Sequence, residues 1–261
     1  MDETTVCIIQ TRIASTRLPK KIFANLEQDI TVLDFVLNQL SHSKHLKKIV
    51  IATTTLNEDD EVENFAKHFG LDFFRGSSED VLDRYYQCAK QFSASNVIRI
   101  TSDCPLIDPQ IVDQVIEKFQ SSSYDYVSNT QPSTFPIGIA IEIFKFEALE
   151  KAWKNATLPS EREHVTPYIY KHKDQFRIFN FESEKDYSFI RITVDKKNDL
   201  DFIRLLISKI NNRPILLNDI LETTSKEPEM IKINNDTIPL EGYLKSLEKD
   251  KEFIKSNFKE D

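Results

Sequence analysis

Three short apolar runs constrain the fold of this chain most: residues 4–10 (TTVCIIQ), 48–53 (KIVIAT) and 96–101 (NVIRIT). Each is β-branched, lacks a polar alternation, and is separated from the next by helix-period sequence. Continuous apolar strands spaced by helices are the mark of a parallel sheet covered on both faces. A shorter strand is expected over 72–75. Helices are expected over 31–40, 58–69, from a cap at Ser77 or Ser78 to about 92, and over 109–119. Thr31 with Asp34 forms an N-terminal cap, and Gly70 is a fitting stop for the second helix. At 261 residues and 40% hydrophobic composition the chain can bury a large core without disulfides.

The second half reads differently. Residues 124–128 and 139–144 are strand-like, the latter alternating as an antiparallel strand does. A helix is expected over 146–155, and Ser160 with Glu163 reads as a capping box opening a helix to about 173, bent by Pro167. Further strands are expected over 176–181 and 189–194, then an amphipathic helix over 197–210. The expected organisation is one α/β domain over 1–213, mainly a parallel sheet with helices on both faces. Residues 131–173 would form a small protruding segment and 214–261 a helical C-terminal extension.

Composition excludes several functions. There are 42 acidic against 34 basic residues, a net charge of −8, so no global cationic field draws in nucleic acid. With only four glycines, at 70, 76, 138 and 242, neither G-x-G-x-x-G nor the Walker loop is present. The three cysteines form no C-x-x-C and suggest a reduced compartment. Cys7 and Cys88 fall in apolar runs, whereas Cys104 lies between Asp103 and Pro105. His42 and His45 lack a third ligand and read as a surface feature. The acidic N-terminus and the lack of a long apolar run lead us to expect a cytoplasmic protein without membrane contact.

In open parallel sheets ligands bind beyond the carboxyl ends of the strands, which directs attention to the loop after each strand. After the first comes QTRIASTRLPKK, residues 10–21, with four cations and three hydroxyls. Such a loop suits a polyphosphate, although a solvated basic loop remains the alternative. Asp103 lies just past the strand at 96–101, and Asp195 just past the run at 190–194. Two carboxylates at strand ends near a phosphate loop fit a magnesium ion, and a turn aspartate is the plainer reading of each.

The segments IIQTRIASTRLPKK, RGSSEDVLDRYY, RITSDCPLIDP, EREHVTPYIY and RITVD, in that order between Ile8 and Asp199, resemble the cytidylyltransferase family of spore coat polysaccharide biosynthesis protein F. That family is similar to the synthetases that make CMP-sialic acid and CMP-Kdo. The string R-x-x-S-T-R-L-P-x-K after a first strand is specific. The resemblance implies a Rossmann-like nucleotide-diphospho-sugar transferase fold, with CTP over the first loop and Mg²⁺ on Asp103 and Asp195. It also implies that Arg12, Arg17 and Lys20 hold phosphates, while Gln10, Ser15, Thr16, Asp80 and Arg84 help to bind the nucleotide. Glu163 and His164 match a family motif without an assigned role. A homodimer through residues 131–173 is implied too.

One segment departs from the family pattern P-R-G-L-D-x-E: here Ile137 and Ala140 replace an arginine and an aspartate. If these positions face the acceptor, it is less charged or differently shaped. The expected activity is transfer of CMP from CTP to a sugar or sugar acid, releasing pyrophosphate, for surface or spore-coat polysaccharide. A metal-dependent glycosyltransferase of similar fold and a catalytically silent scaffold subunit are the alternatives.

Overall fold

The computed structural model describes residues 4–15, 17–236 and 240–257. Its centre is a seven-stranded sheet in the order β5-β4-β1-β6-β8-β7-β9. Strands β1 (Thr5–Gln10), β4 (Ile49–Thr54), β5 (Asp72–Gly76) and β6 (Asn96–Thr101) are parallel. Strand β8 (Glu142–Lys145) is antiparallel to both β6 and β7 (Tyr126–Ser128), and β9 (Ile178–Asn180) pairs parallel to β7. A separate hairpin joins β2 (Asn25–Glu27) to β3 (Ile30–Thr31).

The apolar runs lack alternation because both faces of the sheet are covered. Along β1, Cys7 and Ile9 enter one core cluster, and Val6 and Ile8 the other; all four are fully buried. The first cluster is closed by α1 (Val32–Ser41), α2 (Asp60–His68), α4 (Pro109–Gln120) and α8 (Lys197–Ser208). The second is closed by α3 (Val81–Gln91), α5 (Phe146–Asn155) and α7 (Pro167–Lys171). The remaining helices are α6 (Pro159–His164), α9 (Leu217–Lys226) and, last among the described residues, α10 (Glu241–Asn257). No helix among the described residues is long and apolar enough to cross a membrane.

Three local expectations are corrected. Asp80, rather than Ser77 or Ser78, caps α3: its Oδ1 accepts from the Asp83 N–H at 2.8 Å. The Ser77 hydroxyl makes an earlier turn by accepting from the Asp80 N–H. The acid that closes the start of α6 is Glu161, which accepts from the N–H groups of Thr157 and Leu158 at 3.3 Å. Pro159 starts that helix one residue early, leaving Ser160 inside it and Glu163 free for other contacts. Residues 189–194 form no regular strand and make a single bridge, Ile137 to Arg191.

That bridge demands a glycine. Gly138 has φ +121°, and a Cβ there would lie 2.7 Å from the Ile192 carbonyl carbon. Gly138→Ala is therefore expected to cost at least about 1–3 kcal/mol in backbone strain alone. A thermal melt checks this; an unchanged Tm would mean that the segment relaxes freely.

Candidate active site

Because β1 lies between β4 and β6, its carboxyl end is where the chain's connections diverge to opposite sides. Gln10 is in register with Thr101, so the loops leaving β1 and β6 start side by side. A cleft of about 850 Å³ opens there. Residues 10–15 and 17–21, except Leu18, line it, together with Asp103, Asp195, Arg84, Arg99 and the face of α10 that carries Ser246.

The two aspartates predicted from sequence are brought together by a residue that the sequence pattern did not single out. Lys21 Nζ lies 2.6 Å from Asp103 Oδ2 and 2.9 Å from Asp195 Oδ1. The loops are also tied directly, since the Val194 N–H donates to the Asp103 carbonyl at 2.8 Å. Burial alone would lower the Lys21 pKa, but Asp103 and Asp195 raise it above its ordinary value. Burial would likewise raise the Asp103 carboxyl, yet Lys21 chiefly holds it at about 2. Both groups are thus ionised at neutral pH.

Asp195 is held on every side. Arg17 reaches its Oδ1 at 2.6 Å and Arg191 its Oδ2 at 2.7 Å. Arg191 also binds Asp199 at 2.8 Å, and fully buried Asp199 accepts from the N–H groups of Asp195 and Lys196 at 2.9 Å. Asp199 therefore fixes the turn that presents Asp195, and closes the start of α8 at the same time.

The remaining candidates divide. Arg12 is exposed at the cleft with no carboxylate paired to it among the described residues, and Ser15 accepts from the Leu18 N–H. Lys20, in a left-handed conformation at φ +55°, turns its ammonium to Glu61 at 2.6 Å, while its neighbour Lys21 turns inward. The string R-x-x-S-T-R-L-P-x-K itself places its final lysine at 21, a signal that would have found it. Asp80 is absent from the cleft lining and ion-pairs with Arg162. Arg84 is 2% exposed, its Nη2 has no hydrogen-bond partner among the described residues, and burial lowers its pKa. Gln10 Oε1 is also buried without a hydrogen-bond partner among the described residues. Thr16 lies outside the described residues. Ile137 and Ala140 are half-buried and do not line the cleft, so their departure from the family pattern falls away from its walls.

His164 and Glu163 line the far side of the cleft. Burial, against the pull of Glu163, holds the imidazole down to about 4. The folded chain thus resists a proton that the unfolded chain accepts near pH 6.5. His164's contribution to stability is whole above that pH and declines as pH falls towards 4, at up to about 1.4 kcal/mol per pH unit. His164→Asn should flatten the Tm-versus-pH curve between about 6.5 and 4; an unaltered slope would refute this.

A sheet with this switch point, a cationic loop on its first strand and two converging carboxylates suit a nucleotidyltransferase. The comparisons are specific: a cytidylyltransferase family model matches residues 6–227, and the chain belongs to that family. It is 32% identical over 232 residues to the spore coat polysaccharide biosynthesis protein SpsF of Bacillus subtilis, covering 85% of this chain and 94% of that one. An uncharacterised protein of Methanocaldococcus jannaschii is 36% identical over 225 residues, covering 85% and 91%. A solved cytidylyltransferase from Leptospira borgpetersenii superimposes with a TM-score of 0.85 at 36% identity, covering 90% of this chain and 99% of that one.

Proposed function

We propose that this chain transfers CMP from CTP to a hydroxyl of a sugar or sugar acid, releasing pyrophosphate, with Mg²⁺ on Asp103 and Asp195. The observation that carries this reading is the convergence of those two carboxylates on one ammonium, Lys21 Nζ. An oxygen pair that already shares one cation is a donor set for a small hard cation. Among the described residues no third carboxylate, histidine or cysteine joins it, which suits an ion whose other ligands are water and substrate phosphate. Mg²⁺ held there by Asp103 and Asp195 would supply charge neutralisation at the α-phosphate.

The chain's own residues position and neutralise. Arg12, Arg17 and Lys21 are directed at the triphosphate, and Lys21 releases the aspartates as it engages an anionic oxygen. The acceptor oxygen attacks the α-phosphorus, the bond to the pyrophosphate oxygen breaks, and the acceptor loses its proton. Charge accumulates on the leaving pyrophosphate, where preorganised cations lower the barrier. Arg84 and Gln10 line the cleft, and Arg84 Nη2 and Gln10 Oε1, with no hydrogen-bond partner among the described residues, are a donor and an acceptor. Cytosine presents the converse pair, O2 or N3 accepting and N4 donating.

A pyrophosphate-release screen of four nucleoside triphosphates against sugar acids and sugar phosphates tests this. Release that requires CTP and one acceptor is expected. Release with another triphosphate, or none with any, contradicts the reading.

A further inference from the structure

Helix α10 begins at Glu241, beyond the family match that ends at residue 227, yet it forms a wall of the cleft. The two residues it buries most deeply are polar. Ser246 and Asp250, one turn apart, are 1% and 6% exposed, whereas Leu244 and Ile254 are 48% and 45% exposed. An ordinary surface helix does the reverse. Asp250 anchors the helix by accepting from the N–H and hydroxyl of Ser160 at 2.8 and 2.6 Å. Ser246 contacts the two residues of the E-H pair, His164 Nε2 at 2.9 Å and Glu163 Oε2 at 2.8 Å.

The hydrogen-bond arithmetic at Ser246 has one solution. Its hydroxyl has one proton to donate. Burial would raise the Glu163 carboxyl, but Ser246, His164 and Lys249 hold it below its usual range, so it is an anion that only accepts. The Gly242 carbonyl competes for the proton at 3.1 Å, and the shorter bond to charge prevails. Ser246 Oγ can then only accept from His164, which places a proton on Nε2. Besides these, Tyr243 packs edge-on to the ring at 5.2 Å, and Arg99, Glu142 and Lys249 act on it through their charges. The neutral ring leaves Nδ1 with a lone pair and no partner among the described residues. Val165, immediately after, has φ +73°, a strained conformation for a β-branched residue, and turns the chain sharply at this point.

We propose that Ser246 is a positioning residue that holds His164 as the Nε2–H tautomer and so presents Nδ1 to the cleft as an acceptor for the hydroxyl of the second substrate. This rests on the cytidylyltransferase reading for the identity of that substrate, and extends the site to a helix outside the family match. The acceptor class it implies is one whose reacting or adjacent hydroxyl donates to a neutral imidazole.

The test is ¹⁵N–¹H correlation spectroscopy on the full chain with labelled histidine, His164 being assigned by its loss in His164→Gln. The neutral Nε2–H form should persist in the wild type from pH 8 down to about 5, and in Ser246→Thr; Ser246→Ala should show mixed tautomers. In the pyrophosphate screen Ser246→Ala should lose roughly ten- to a hundredfold in kcat at unchanged CTP affinity, with rescue by threonine. A wild-type proton on Nδ1, or an unchanged spectrum in Ser246→Ala, overturns the proposal. The wild-type spectrum decides even if the alanine variant fails to fold. A wild type that does not bind CTP would overturn the functional reading instead, leaving the tautomer assignment to its own spectrum.

Discussion

Lys21→Met should lower kcat/KM for CTP by about 10²–10³, the usual loss when one preorganised donor to developing charge is removed. Lys20→Ala, one residue away, should lose far less. Lys21 places its ammonium between Asp103 and Asp195, with 13% of its side chain exposed, whereas 61% of the Lys20 side chain is exposed and its charge is paired with Glu61. Removing Lys21 also leaves two carboxylates facing each other without their shared cation. Mg²⁺ should then raise the Tm of Lys21→Met more than that of the wild type, because the ion takes over the vacated role. Steady-state kinetics and melts with and without Mg²⁺ check both statements. Equal losses in the two lysine variants would refute the assignment of roles.

Asp199→Ala should be the most destabilising single change near the site, costing about 3–5 kcal/mol, because a buried ion pair is broken from one side. Asp199 is fully buried and holds the Arg191 guanidinium, the N–H groups of Asp195 and Lys196, and the side-chain amide of Asn234 at 3.0 Å. Arg191 would remain with Asp195 alone, pulling on the carboxylate that faces Lys21. The expected Tm decrease is roughly 10 °C, together with a loss of CTP affinity. A decrease within one or two degrees would show that the Asp195 turn is held by other contacts.

The parallel half of the sheet was legible because burial on both faces leaves an unbroken apolar imprint at 4–10, 48–53 and 96–101. Asp103 and Asp195 were legible because strand ends are where such a fold gathers chemistry. Lys21 was missed because two adjacent lysines look alike in a sequence. Only the left-handed turn at Lys20 sends one outward and the other inward. Ser160 and Glu163 imitated a capping box by spacing alone, while Pro159 shifted the helix start and freed both for α10. Ser246 carried no local signal, since its partners lie more than eighty residues away and its role exists only once α10 docks. The Arg191–Asp199 pair was not legible: nothing in the sequence marks Asp199 as the buried support of the turn that presents Asp195.

The proposed cation site of Asp103 and Asp195 would couple metal to nucleotide. Titrating CTP into the wild type, Asp103→Asn and the double variant Asp103→Asn/Asp195→Asn, with and without Mg²⁺, tests it most directly. Mg²⁺ is expected to strengthen CTP binding in the wild type. Asp103→Asn should remove this enhancement and the second substitution should add little, because both carboxylates would serve the same ion. CTP affinity that is indifferent to Mg²⁺ in the wild type, or an enhancement that survives in the double variant, would contradict it.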